Sequence, residues 1–320
     1  MNSLLGHDAP WRQFASALDG GKLHHGWILA GRRGVGKAGF ALRAAAALVD
    51  PQGQYSNLIE RGTHPDILII KRLPKEASKD DEEVDASAEL KRSITIDQIR
   101  RLQLSLTTRP GLSNRRAIII DAADDLERGG ANALLKSLEE PPIGTYFLLV
   151  SHASDRLLPT IRSRCQMLRF EPLNDRDMTD ALRASAPDAT TDDIATLVRI
   201  GNGAPGQAID FFGLDLGKLE DAMTSIIQTG DRSNALRSAL AEQLVLKAAQ
   251  PRYEAFLRRA PALMADIARQ CEAPEALAAT EAWRTASALA GRAIALSLDK
   301  QSVVLQIGSL LASLQPHKTA

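Results

Sequence analysis

Five short apolar runs organise the first half of the chain, at residues 27–30, 66–70, 117–121, 146–150 and, more weakly, 166–170. Each is too short for a helix and is bounded by turn residues, so each is predicted as a buried strand. Segments with helical spacing lie between them. Trp11, Phe14, Ala15 and Leu18 share one side of an amphipathic stretch, and residues 38–49 are rich in Ala and Leu. After Ile96, the residues Ile99, Leu102 and Leu106 repeat at helical intervals, with Thr95 or Asp97 placed to cap that helix. Residues 131–138 read as another helix, stopped by Pro141-Pro142. Wholly apolar strands alternating with helices predict an α/β fold, a parallel sheet with helices on both faces.

The pattern changes twice. Residues 71–93 hold few apolar side chains and the acidic knot Asp80-Asp81-Glu82-Glu83. Such a segment cannot bury enough apolar surface to offset its ordering entropy, so a mobile, solvated loop is expected. Beyond Pro172 no strand is expected. Residues 179–182 and 191–200 read as short helices, a turn-rich run follows at 201–206, and from Lys218 the chain reads as helix interrupted only at Gly230, Gly291 and Gly308. Leu219, Met223, Ile226 and Ile227 carry the helical period there. This half shows no chemical constellation and reads as a packing or oligomerisation region. A length of 320 residues suits two or three domains.

Candidate chemistry sits at the strand ends. Gly31-Arg32-Arg33-Gly34-Val35-Gly36-Lys37 fits the phosphate-binding pattern G-x-x-x-x-G-K between a strand and a helix. Gly31, Gly34 and Gly36 would let backbone N–H groups close on phosphate oxygens, with Lys37 adding a point charge. The next position should carry the hydroxyl that ligates Mg²⁺, and Ala38 stands there. Asp121, ending the third strand, is placed to hold Mg²⁺ through water, but Ala122 follows where an active ATPase of this architecture has Glu. Two missing oxygens argue against self-contained ATP turnover. In Thr160-Ile161-Arg162-Ser163-Arg164-Cys165 the two arginines read alone as surface charge, although phosphoryl transfer often borrows an arginine from a neighbouring subunit.

Composition narrows the classes. Hydrophobic content of 44% with 24% charged residues is ordinary for a globular protein. Lys plus Arg and Asp plus Glu both number 39, so no global field favours nucleic acid or an anionic membrane. Arg100, Arg101 and Arg109 are local candidates for DNA phosphate contacts. Two distant cysteines, Cys165 and Cys271, and an N-terminus without a signal pattern fit a cytoplasmic protein without disulfides. No spacing of the six histidines suggests a metal site.

Asn132-Ala133-Leu134-Leu135-Lys136-Ser137-Leu138-Glu139-Glu140-Pro141-Pro142, followed by Leu157-Leu158-Pro159-Thr160-Ile161-Arg162-Ser163-Arg164-Cys165, resembles the bacterial clamp-loader branch of the AAA+ proteins. The degenerate nucleotide motifs and Gly62-Thr63-His64-Pro65-Asp66 make the chain look most like the delta-prime family within DNA polymerase III. The resemblance covers most of residues 1–210. It implies a P-loop AAA+ module (1–171), a small helical lid (172–215) and an all-α collar (216–320). It also implies a stator role without effective ATPase activity, Arg164 acting as an arginine finger in trans. The implied partners are gamma/tau motor subunits and a delta subunit in a five-subunit ring, the sliding clamp, and primed DNA through the assembly. A four-cysteine zinc module common in the family is missing from residues 52–61, so no zinc is expected. The lid arginine of motor subunits aligns with Gly206, while Lys37 is retained, which leaves weak ATP or ADP binding open. An ATP-hydrolysing motor subunit of gamma/tau type, or a AAA+-like adaptor outside replication, are the alternatives at this point.

Overall fold

A computed structural model of the chain describes residues 5–75, 90–214, 216–294 and 296–316; the acidic run 80–83 lies outside them. The chain forms two compact units, one of Met1–Ser185 with Gly201–Gln207 and one of Ala186–Ile200 with Ala208–Ala320.

The first unit is built on five parallel strands: β1 (Gly26–Gly31), β2 (Ile67–Lys71), β3 (Arg116–Asp121), β4 (Thr145–Ser151) and β5 (Gln166–Phe170). All five apolar runs are therefore strands, in the spatial order β2-β3-β4-β1-β5. Alternation along β1 sends Trp27 and Leu29 into one core and Ile28 and Ala30 into the other. The first core is closed by α1 (Asp8–Asp19) and α2 (Lys37–Val49), through Phe14, Phe40 and Ala44. After the short α3 (Ser56–Glu60), the second core is closed by α4 (Ile96–Ser105) and α5 (Arg128–Glu139). Thr95 and Gln98 form a capping box at the start of α4, which settles the choice between Thr95 and Asp97. The Lys91 N–H donates to Leu73 O at 2.7 Å. The short α6 (Pro159–Arg162) precedes β5, and α7 (Asp175–Ser185) follows it.

The second unit holds α8 (Thr191–Gly201) up to Ile200, and α9 (Pro205–Ile209) enters it at Ala208. Its larger helices are α10 (Leu216–Thr229), α11 (Ala235–Val245), α12 (Gln250–Gln270), α13 (Glu275–Ala293) and α14 (Lys300–Ala312). Gly291 and Gly308 lie inside helices, contrary to the reading of them as interruptions. At Gly308 the reason is contact: a Cβ would sit 2.8 Å from Arg237 Cγ. Arg237 in turn donates to Ser309 Oγ at 2.7 Å and pairs with the buried Asp231 at 2.9 Å. Among the described residues no strand follows β5, and no helix is long and apolar enough to cross a membrane.

Two buried polar groups hold the loops below the sheet. Asp66 is fully buried and accepts from the backbone N–H groups of Gly111, Leu112 and Ser113 at 2.6, 2.8 and 2.9 Å. Arg116 donates to the carbonyls of Ser105 and Arg109 at 2.7 and 3.0 Å, a cation at the carbonyl end of α4. Asp66→Asn would turn an amide group toward donors that need an acceptor. The expected cost is about 2–4 kcal/mol, read as a lower denaturant midpoint with an unchanged far-ultraviolet spectrum at native conditions.

Candidate functional site

Gly31, Gly34, Gly36, Lys37 and Asp121 gather at the carboxyl ends of the strands, where open α/β sheets bind ligands. Gly31 must lack a side chain because a Cβ there would lie 2.5 Å from Phe170 O on the neighbouring strand. Gly34 and Gly36 have φ of +79° and +109°, a region that disfavours other residues. The loop is closed upon itself and upon the first turn of α9. Lys37 is buried, and its Nζ donates to the loop's own carbonyls, Gly31 O and Arg32 O, both at 2.6 Å. The Gly206 N–H donates to Gly34 O at 2.8 Å, and Gln207 Nε2 donates to Arg33 O at 2.7 Å. A Cβ on Gly34 would sit 2.6 Å from Gln207 N, and one on Gly206 would sit 3.1 Å from Gly34 Cα, so backbone lies against backbone. His7, also buried, completes the enclosure from the other side, its Nε2 2.7 Å from Val35 O.

Asp121 lies near enough to Lys37 to interact electrostatically, as does Asp124. Asp124 went unnoticed in the sequence. Its carboxylate accepts from Ser151 Oγ at 2.8 Å, His152 N at 2.5 Å and Ala153 N at 3.2 Å, pinning the loop that follows β4. Ala38 and Ala122 bring no oxygen to the site. In this arrangement the Lys37 ammonium is engaged by loop carbonyls, the Asp124 carboxylate by Ser151 and two backbone N–H groups, and positions 38 and 122 carry only methyl groups.

Arg164 is not part of this cluster. It precedes β5 at the level where Gly26 starts β1: a Cβ on Gly26 would meet Cys165 Sγ at 2.9 Å and Arg164 O at 3.1 Å. The phosphate loop begins beyond Gly31, at the other end of the same strand, roughly 17 Å away at strand rise. Arg164 therefore cannot serve its own loop. Its side chain is half-buried, Nη1 donating to Thr160 O at 3.0 Å and Ser163 Oγ at 3.2 Å, with Nη2 2.6 Å from Glu139 Oε1. Arg162 pairs instead with Asp155 at 3.6 Å. Cys165 is an inert neighbour, its thiol pushed up to about 12 by burial. Arg100, Arg101 and Arg109 are exposed on or just after α4, with Arg100 3.4 Å from Asp97.

Residues 6–174 match the family described as "DNA polymerase III, delta subunit". The chain is similar to the DNA polymerase III subunit delta′ of Pseudomonas aeruginosa, 31% identical over 61% of this chain and 58% of that protein. It is also similar to the subunit delta′ of Escherichia coli, 26% identical over 73% of this chain and 71% of that protein. A third relative is the DNA polymerase III subunit gamma of Buchnera aphidicola, 33% identical over 51% of this chain and 42% of that protein. The chain thus spans somewhat over half the length of the Pseudomonas relative and less than half of the Buchnera one.

Burial is the main influence on Lys37, lowering its pKa from 10.5 to about 8 against the opposing pull of Asp121 and Asp124. The folded value lies below the unfolded one, so the unfolded chain binds this proton more tightly. Burying the charged form costs stability below about pH 8, and that cost is relieved as pH rises from about 8 toward 10.5. Side-chain NMR of Lys37 should therefore give a titration midpoint near 8. Added Mg·ATP should leave it there, whereas a phosphate seated in the loop would raise it.

Proposed function

Because the chain belongs to the DNA polymerase III, delta subunit family, we propose that it is a delta-prime-type stator of the clamp loader, joining gamma/tau motor subunits and a delta subunit in a five-membered ring. In this reading the ring opens the sliding clamp and sets it on primed DNA, and this subunit hydrolyses no ATP itself. Its contribution to chemistry is Arg164, presented to a nucleotide held by the adjacent motor subunit.

The observation that carries this reading is the separation of the two sites along β1. A cation at the amino end of the strand, far from the loop at the carboxyl end, has no internal phosphate to serve. A guanidinium offered to a neighbour's transferring phosphoryl group would stabilise the charge that develops there. The closed loop supports the other half of the proposal. Nucleotide entry would require Lys37 to leave two carbonyls and the Gly206 and Gln207 contacts with Gly34 and Arg33 to part. The loop then binds ATP or ADP weakly, and 1 mM Mg·ATP raises the melting temperature by less than about 1 °C. The second half of the chain, which carries no catalytic grouping, supplies the ring's collar contacts.

A motor-subunit reading has two observations in its favour, the retained Lys37 and the similarity to gamma subunits, and the same experiment separates it. The lone chain should show no ATP turnover above background, with or without primed DNA. In the reconstituted ring Arg164→Ala should leave assembly intact and slow hydrolysis at the served site by about tenfold or more. Brisk turnover by the chain alone would favour the motor reading, and an unchanged ring rate would remove Arg164 from the mechanism.

A further inference from the structure

Glu139 stands at the last position of α5, where the exposed carbonyl end of a helix repels a negative charge. Among the described residues no ion pair within α5 engages it. Its contact is Arg164, 2.6 Å away and on a different segment of the chain. We infer that Glu139 is a positioning residue for Arg164, holding the guanidinium in one orientation so that it meets a neighbour's phosphate already aligned. The inference rests on the reading of Arg164 as a finger acting in trans.

Three oxygens converge on the guanidinium. Glu139 Oε1 faces Nη2, while Thr160 O and Ser163 Oγ accept from Nη1. Among the described residues Nε has no hydrogen-bond partner, and a guanidinium has five N–H donors in a fixed plane. The held side chain thus retains donors for phosphate oxygens, and the plane in which they lie is set beforehand. A free arginine would have to lose its rotamer freedom at each encounter, whereas one fixed in advance makes that adjustment during folding.

The framework that sets the spacing is rigid on both sides. The end of α5 is tied to the segment entering β1, His25 Nε2 lying 2.8 Å from Leu138 O, and Leu138 itself is buried. The backbone of Arg164 and Cys165 lies against Gly26, where no side chain intervenes. Glu139 and Arg164 are therefore brought together by the same strand end. The pair is also exchangeable, since the two side chains remain 48% and 35% exposed, and an exposed pair of this kind contributes little to stability. Its value lies in orientation.

The test is steady-state ATP hydrolysis by the reconstituted ring with this subunit carrying Glu139→Gln, Glu139→Asp, Glu139→Ala, Arg164→Ala or the Glu139→Ala, Arg164→Ala pair. Positioning predicts that Glu139→Gln lowers kcat about three- to tenfold while KM for ATP, set by the motor subunit, stays within about twofold. Glu139→Asp should recover part of the loss, and the double variant should be no slower than Arg164→Ala alone. An unchanged kcat in Glu139→Gln beside a slowed Arg164→Ala overturns the role of Glu139 and leaves the finger standing. Additive losses in the double variant also overturn it, since they mark a purely structural effect. An Arg164→Ala ring at full speed overturns the finger reading first, and the positioning role with it. A measurement on the chain alone guards against variants that assemble poorly. Slow guanidinium rotation at Arg164 in NMR should be present in the unaltered chain and lost in Glu139→Gln, and its persistence there would refute the proposal.

Discussion

Lys37 sits in the interior as an ammonium, and the carbonyls of Gly31 and Arg32 are what satisfy it there. A buried charge without such partners would cost far more than one domain can spare. With the lysine turned inward onto its own loop, the geometry around it follows. The loop carbonyls of Arg33 and Gly34 face the 204–207 segment and take its N–H groups, and a Cβ on Gly206 would be tight at 3.1 Å from Gly34 Cα. Asp124 is left to hold the loop after β4. At this end of the sheet Lys37 and Asp124 are thus engaged by internal hydrogen bonds, and Ala38 and Ala122 add only methyl groups.

The opposite end of β1 is organised by the reverse condition. Where the carboxyl end turns its donors inward, the amino end leaves a guanidinium facing outward. A parallel strand is a stiff spacer, and its register with β5, Trp27 beside Gln166 and Gly31 beside Phe170, fixes which end each group occupies. The separation of a closed phosphate loop from a half-buried cation is therefore a property of sheet topology, not of side-chain choice alone. Once the strand order is β2-β3-β4-β1-β5, residues just before β5 cannot reach the loop that follows β1.

Much of this was legible in the sequence because its signals were local. Apolar runs gave all five strands, Thr95 was one of two candidate caps for α4, and the Gly-rich loop announced itself by spacing. What escaped notice depends on distant partners. Asp124 acts on donors 27 to 29 residues later, Asp66 on the turn at 111–113, and Glu139 on an arginine in another segment. Gly308 reads as a helix breaker, yet it lies within α14 because Arg237, far away in sequence, needs the space. Glycine carries two meanings, freedom of φ and absence of a Cβ, and only contact tells them apart.

The arginines themselves sort by exposure into those that hold the fold and those that remain available. Arg259 is 7% exposed between Glu220 and Asp266, Arg237 is 13% exposed against Asp231, and Arg116 is nearly buried beneath the end of α4. Removing a partner from such a pair strands a charge away from water, so these arginines are bound to their sites. Arg164 differs in degree and therefore in kind. Its carboxylate partner is half in solvent, so the pair adds little to stability while part of the guanidinium stays open to water. Of these arginines Arg164 is the one held by a partly solvated carboxylate with donors left over, which is what the proposed action in trans would require.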